Sequence, residues 1–295
     1  MCSIDPNADF DIIKGGNAFW QAERYPAWLV DLAKRAYPLL APEFQANVKL
    51  FIDCAVVNDL QMHDMEGTMD KVELTKKLIS AAHQMEEWPK SLPPSFQVTR
   101  ERSLDCTHFY LCYAEIYSST RIAAVWMTYR AAKMVLLRMI RHKLHEIMGS
   151  EALLQQYGPA DEDPIVLSEL VRVSLAELCT DIVRTLPFYI RTDAEGAITP
   201  VTTGGNWHFW YYYMACMLPE APADLKPFVL QELQRVQAAP GCEQAAVIVH
   251  LISQNVDVFG WADQIGVTGF GAPLRTLLQP IPESSPGLPG RWGMG

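Results

Sequence analysis

The segment "RIAAVWMTYRAAKMVLLRMIRHKLHEIM", residues 121–148, decides the fold class because its apolar residues recur at helical spacing along its whole length. One arc of the helix that it predicts is formed by Trp126, Tyr129, Leu136, Ile140 and Leu144. Apolar residues also continue upstream through residues 105–119. Residues 105–148 therefore predict either one long helix or two helices joined near Ser118 and Ser119. The segment therefore predicts a long amphipathic helix that packs one face into a core.

Helical spacing also dominates most of the chain outside this segment, and prolines separate the helical stretches. Residues 26–60 predict two helices, and residues 70–88 predict another, with Asp70 as its N-cap and Glu73 as the partner in a capping box. Further helices are predicted at residues 164–191, 207–217, 223–237 and 241–255. No segment alternates convincingly between apolar and polar residues, although the turn-rich residues 192–205 leave room for a short extended piece. We therefore expect an all-α fold, a helical array of antiparallel helix pairs without a sheet.

Composition divides the 295 residues into three parts. An N-terminal extension covers residues 1–18, the helical domain covers residues 19–262, and a Gly/Pro-rich tail covers residues 263–295. The tail has too little apolar surface to offset the entropy lost on ordering, so we expect it to be flexible and disordered.

Charge and cysteine content limit the classes of function. A net charge of −10 repels phosphate backbones, so we expect no direct binding to DNA. The seven cysteines are odd in number, scattered and mostly in apolar surroundings, which predicts reduced, buried thiols. Because no segment reads as a signal peptide or as a membrane-spanning run, we expect a soluble, intracellular protein that does not associate with membranes.

Three polar patterns were weighed as sites. Arg130, Arg138, Arg141 and His145 form a basic stripe, with Lys133 nearby. The stripe could bind phosphates, but the net charge of −10 favours a solvated helix face instead. His142 and His145, with Glu146 beside them, could begin a metal site, but the sequence fixes neither a third ligand nor an open position, so we expect no metal and no cofactor. Cys106 and His108 lie two residues apart, a spacing that points them to different faces of a helix.

The stretch "GGNWHFWYYYMACM", residues 204–217, is the strongest candidate for either a core helix or a ligand pocket. Its rings lie all around a helix, which is typical of a buried helix and favours the core. In the alternative, an aromatic pocket accepts a hydrophobic ligand and polar side chains orient it. The pocket candidates are Trp207, Trp210, Tyr213, Glu115, Arg130 and Asp181.

Short segments between residues 71 and 253 form an ordered set of motifs. The first, "EEWPKSLPPSF", carries Trp88, Pro89, Ser91, Leu92 and Pro93. The second, "VWMTYRAAKMVLLRMI", carries Trp126, Tyr129, Arg130, Ala131 and Ala132. The third, "DIVRTLPFYI", carries Ile182, Thr185, Leu186 and Pro187. In this order they resemble the fungal-specific transcription factor domain, the regulatory region of fungal zinc binuclear cluster transcription factors.

Two more segments resemble this family, with departures. Trp210 matches the tryptophan of the family's apolar Trp-Pro helix, but Tyr211 replaces the proline, and Val183 stands where the family usually has cysteine. The closing element is matched by Leu233, Val236, Gly241, Gln244 and Ala245. The resemblance implies that the aromatic helix belongs to the core. The six-cysteine zinc cluster has no counterpart here, so direct DNA binding does not carry over.

The resemblance implies a regulatory or effector-sensing helical module of a fungal transcription-factor-like protein, which acts in transcription regulation in the nucleus or cytoplasm. Its partners would be other proteins or a small-molecule effector, and a homodimer is left open. The alternative is an enzyme of fungal secondary metabolism that reuses this scaffold around the aromatic pocket. The sequence alone does not decide whether the chain is an enzyme.

Overall fold

The computed structural model describes residues 24–104, 106–158, 163–192, 198–200, 208–237 and 243–256. The predicted N-terminal extension and the predicted Gly/Pro-rich tail lie outside these residues.

The N-terminal part consists of three helices, α1 (Ala27–Ala36), α2 (Pro42–Glu66) and α3 (Lys71–Lys90), with a 3-10 turn at Tyr37–Leu39. Gly67 ends α2 in the left-handed conformation with φ of 62°, which glycine adopts without steric cost. The side chain of Asp70 then accepts hydrogen bonds from two amides in the first turn of α3, as its capping position predicts. Helices α2 and α3 pack against each other as an antiparallel pair.

A short hairpin precedes the central helix and corrects the upstream prediction. Strands β1 (Thr99–Arg102) and β2 (Tyr113–Ile116) pair in antiparallel register, so the chain before Ser118 is not helical. Helix α4 (Thr120–Met148) follows as one uninterrupted helix, and the hydroxyl of Ser119 caps the Ile122 amide. The long helix predicted from residues 121–148 is therefore confirmed, and the upstream extension is wrong.

The next helices are α5 (Glu151–Tyr157) and α6 (Pro164–Val183), followed by the short helix α7 (Leu186–Tyr189). The prediction that the helix continues to Arg191 is wrong, because α6 ends at Val183. Pro187 explains the stop: it has no amide to donate to the carbonyl four residues earlier, and its ring would clash there. Strands β3 (Ile190–Thr192) and β4 (Ile198–Pro200) then form a second antiparallel hairpin. Strand β4 lies in residues 192–205, where the sequence leaves room for an extended piece, whereas β3 begins within the stretch predicted as helix.

The C-terminal described helices are α8 (His208–Met217), α9 (Leu225–Val236) and α10 (Glu243–Ser253), and they pack on one another. Helix α4 lies at the centre of the array, because it contacts α2, α3, α6 and α8. Within the described residues, strands occur only as the two two-stranded hairpins. The all-α array of helix pairs is thus confirmed, with the hairpins as additions that the sequence pattern did not predict. No helix in this part of the chain combines the length and the apolar character needed to cross a bilayer.

An aromatic cluster fixes α3 against α4. The Trp88 ring is fully buried, stacks on Tyr129 at a centroid distance of 4.9 Å and meets Trp126 edge-on at 5.2 Å. Both indoles donate hydrogen bonds to backbone carbonyls, Trp88 to Ala46 at 2.7 Å and Trp126 to Phe96 at 2.8 Å. The sequence leads one to expect Trp126 and Trp210 as buried core residues, and this expectation is wrong in degree: both pack against the core but are only partly buried.

Trp88→Ala should lower the free energy of unfolding by about 3–5 kcal/mol, because it removes a large buried ring and leaves a cavity. Trp28→Ala is the matched control, since the Trp28 side chain on α1 is 67% exposed and its loss should leave the melting temperature almost unchanged. Thermal unfolding followed by circular dichroism measures both variants. Equal melting temperatures for the two variants would contradict the packing described here.

Candidate functional site

A buried ion pair joins the first hairpin to the central helix. The guanidinium of Arg130 on α4 lies 2.7 Å from the carboxylate of Glu115 on β2, and both side chains are almost completely buried. The hydroxyl of Tyr117 donates to Glu115 at 2.6 Å and accepts a hydrogen bond from Arg130 at 2.8 Å. Arg130 also donates to the backbone carbonyl of Asp181 at 3.3 Å. These groups fill one another's hydrogen-bonding capacity, as buried charges require.

Two further arginines extend this pair toward the surface. Arg100 on β1 donates to Glu115 at 3.2 Å and to both carboxylate oxygens of Asp181 at 2.9 Å. Arg184 donates to Asp181 at 3.1 Å. We call this set the buried network; its members are Arg100, Glu115, Tyr117, Arg130, Asp181 and Arg184. The buried network thereby links the hairpin to both α4 and α6.

Neighbouring groups in the buried network keep Arg130 charged. Burial alone would lower the pKa of Arg130, but the neighbouring Tyr117, Glu115 and Asp181 groups raise it above its ordinary value. Burial raises the pKa of the Tyr117 hydroxyl, so that hydroxyl keeps its proton and remains a donor. The arrangement stabilises a conformation, because the carboxylates of Glu115 and Asp181 and the hydroxyl of Tyr117 are already engaged by protein groups.

The predicted pocket residues fall into two groups. Glu115, Arg130 and Asp181 do come together, in the buried network. Trp210 and Tyr213 pack edge-on at a centroid distance of 5.8 Å, and the Tyr213 hydroxyl donates to the carbonyl of Val256 at 2.7 Å, next to the end of α10. The remaining candidate, Trp207, lies outside the described residues.

Tyr212, which was not predicted, is the ring of α8 that neighbours the buried network. Its hydroxyl lies 2.9 Å from that of Thr185 at the end of α6. Burial raises the pKa of Tyr212, and the charges of Arg130 and Glu115 act on the same hydroxyl. Residue type alone could not separate Tyr212 from its neighbours, because the choice depends on how α8 is rotated against α6.

A cleft of about 520 Å³ lies on the other side of β2. Its lining includes six apolar residues: Phe109, Ala114, Ile116, Leu186, Pro187 and Ile190. It also includes six polar residues, which we call the polar wall: Glu101, Arg102, Ser103, His108, Glu232 and Arg235. We call this space the hairpin cleft. None of the five described pocket candidates lines it.

A histidine–glutamate pair forms the polar wall of the hairpin cleft. The Nδ1 atom of His108 lies 2.8 Å from the carboxylate of Glu232 on α9, which is almost fully buried. Arg235 binds the second carboxylate oxygen of Glu232 through two nitrogens, at 3.1 and 2.8 Å. The His108 side chain is 38% exposed, so it remains accessible from solvent. The sequence contained no signal for this pair, because its members lie 124 residues apart.

The loop that carries His108 is closed by a disulfide between Cys106 and Cys112. The prediction of reduced thiols is therefore wrong for these two residues. It is confirmed for Cys54, Cys179 and Cys216, which are free and buried, and burial raises the pKa of each of these thiols to about 12. Cys2 and Cys242 lie outside the described residues. The spacing of Cys106 and Cys112 was the available signal, but spacing alone does not establish a pairing.

The predicted basic stripe does not form a solvated face. Arg130 is buried in the network, and Arg141 forms an ion pair with the largely buried Glu220. His145 is exposed, and the Nε2 atom of His142 lies 3.5 Å from Glu146. Across the described residues, no group of three or more His, Cys, Asp or Glu side chains is placed to hold a metal ion.

Neither the protein-family models, the curated proteins nor the solved structures with which the chain was compared gave a match. The resemblance to fungal transcription factor domains therefore stays a prediction from the motifs.

Arg130→Met should lower the free energy of unfolding by about 3–5 kcal/mol, because it leaves the Glu115 carboxylate buried without its main partner. The double variant Arg130→Met/Glu115→Met should be more stable than Arg130→Met, since no buried charge remains. Denaturant unfolding of the single and double variants measures this coupling.

Arg172→Met is the control, because Arg172 forms an exposed ion pair with Glu169 on α6. It should unfold like the parent protein. Additive losses in the double variant would show that the two charges do not depend on each other.

Proposed function

We propose that this chain is a regulatory, effector-sensing helical module of the fungal transcription-factor type, and that it binds a small-molecule effector in the hairpin cleft. One observation carries the proposal: strand β2 faces the cleft with Ala114 and Ile116, while Glu115 between them enters the buried network. Alternate side chains of a strand point to opposite faces. A ligand in the cleft therefore contacts the strand whose other face is bound to the core.

This arrangement supports a mechanism for sensing. The Glu115 amide donates to the carbonyl of Arg184 at 3.0 Å, so β2 is also tied to the end of α6. Leu186 and Ile190, which follow α6, line the cleft on the same side. A ligand that fits one arrangement of β2 and α7 better than another shifts the population toward that arrangement. The buried network would carry this shift to α4 and α6.

The chemistry of the cleft indicates the class of effector. The lining combines apolar side chains with carboxylates, an imidazole and guanidinium groups, which suits an amphipathic molecule with an apolar body and a hydrogen-bonding head. The volume of about 520 Å³ lies in the usual range for small-molecule sites, about 300–1,000 Å³.

The motif resemblance supports the regulatory setting of the proposal. The module would act in the nucleus or cytoplasm on other proteins, without contacting DNA itself, since the chain has a net charge of −10 and no zinc cluster.

A second candidate function is enzymatic, and the His108–Glu232 pair favours it. If Nδ1 donates to the buried carboxylate, Nε2 is left as a basic nitrogen, which is the arrangement of a general base. This alternative moves the catalytic hypothesis from the aromatic helix to the hairpin cleft. The two functions differ in the fate of the ligand, because an effector is recovered unchanged and a substrate is converted.

A thermal-shift screen against hydroxy acids, keto acids, amino acids, nucleosides and aromatic polyketide acids tests the proposal. We expect at least one compound class to raise the melting temperature of the parent protein, because a bound ligand adds RT ln(1 + [L]/Kd) to the free energy of unfolding. His108→Ala should lose most of this stabilisation, because His108 lines the polar wall. Mass spectrometry of the recovered compound should show no conversion.

His142→Ala is the matched control, since the His142 side chain on α4 is 68% exposed and remote in sequence from the cleft residues. It should keep the full shift. Equal loss in both histidine variants would contradict binding in the hairpin cleft, and conversion of the compound that depends on His108 would favour the enzyme.

A further inference from the structure

The disulfide is accessible and closes the loop that contributes two residues to the lining of the hairpin cleft. Cys106 is exposed and Cys112 is partly exposed, whereas the three free cysteines of the described residues are buried. The disulfide encloses His108 and Phe109, which both line the cleft. Whether this bond is oxidised or reduced therefore affects the position of His108 in the polar wall.

The backbone of the loop depends on covalent closure. Leu111 and Cys112 adopt positive φ values of 54° and 63°, although neither residue is glycine. Such residues persist only where the surroundings enforce the conformation. The Leu111 side chain is 52% exposed, so packing contributes little to holding it. The disulfide to Cys106 constrains this point covalently, together with backbone hydrogen bonds from the Cys112 amide to Phe109 and from the Ser103 amide to Cys112.

The middle of the loop is anchored independently of the disulfide. Tyr110 is buried, its hydroxyl donates to Asp224 at 2.9 Å, and its ring packs on Phe228 at 5.3 Å. Loss of the disulfide would therefore leave the loop attached to α9. The change would be confined to the segments on either side of Tyr110, one of which holds His108.

We propose that Cys106 and Cys112 form a thiol–disulfide exchange site for dithiol reductants, and that its oxidation state sets the position of His108 against Glu232. In the closed state, the oxidised loop holds the histidine–glutamate pair together. In the open state, the disulfide is reduced, Leu111 and Cys112 leave the left-handed conformation, and His108 separates from the Glu232 carboxylate. The relevance of this switch to effector binding rests on the proposed function, but the switch itself does not.

The exchange balances with a dithiol as the reductant. A thiolate of the reductant attacks the exposed Cys106 sulfur, the sulfur–sulfur bond breaks, and Cys112 leaves as a thiolate that takes up a proton. The second thiol of the reductant then attacks the mixed disulfide and releases Cys106 as a thiol. Two electrons pass to the protein, which gains two thiols, and the reductant becomes a disulfide. In reducing compartments, protein disulfides are usually transient and redox-sensing.

The test treats the full chain with dithiothreitol under native conditions and follows two readouts. Alkylation with peptide mass spectrometry should show that Cys106 and Cys112 become reactive together, while Cys54, Cys179 and Cys216 stay protected. Hydrogen–deuterium exchange should become at least about tenfold faster at Phe109 and Cys112. Their amides are bonded within the loop in the oxidised state, to the carbonyls of Cys106 and Phe109.

Cys106→Ser/Cys112→Ser provides the control, because it removes the disulfide without a reductant. It should exchange like the reduced parent and should not respond to dithiothreitol. Alkylation of both cysteines in the untreated parent, or unchanged exchange after reduction, would overturn the proposal. Neither readout uses an effector, so the two proposals fail separately. If the loop responds to reduction but no compound raises the melting temperature, the redox switch is supported and only the proposed function is contradicted.

Discussion

The buried ion pair between Arg130 and Glu115 is the constraint on which the rest of the structure depends. A charge of either sign placed alone in this interior would cost several kcal/mol, so each residue requires the other. Arg130 also lies 5.5 Å above the ring of Trp126, at the edge of the aromatic cluster between α3 and α4. One side chain therefore joins the aromatic core to the hairpin, and the position of the hairpin follows from that of the central helix.

Strand β2 gives this constraint a functional consequence. Its alternation places a charged residue in the core and apolar residues in the hairpin cleft, so neither face can move alone. The cleft is completed by elements from distant parts of the chain, α7 and α9, together with the loop that the disulfide closes. The proposed ligand site, the proposed redox switch and the core packing thus meet at one two-stranded hairpin.

Much of the helical framework was predictable from sequence, because caps, prolines and apolar spacing act locally. Asp70 capped α3 as expected, and α4 spans almost the whole segment that predicted it. The first hairpin was not predictable, since residues 99–116 owe their extended form to pairing and to Glu115 entering the core. Glu115, Arg130 and Asp181 were chosen by residue type and do meet, whereas the His108–Glu232 pair depends on tertiary contacts that no local pattern encodes.

Hydrogen–deuterium exchange of Arg130→Met, compared with the parent and with Arg172→Met, tests most directly whether the ion pair positions the hairpin. The account predicts faster exchange at residues 99–116, including the Glu115 amide that donates to Arg184, in Arg130→Met alone. Helix α1, which has no buried residues of its own, should exchange equally in all three proteins. Unchanged protection of the hairpin in folded Arg130→Met would contradict the account.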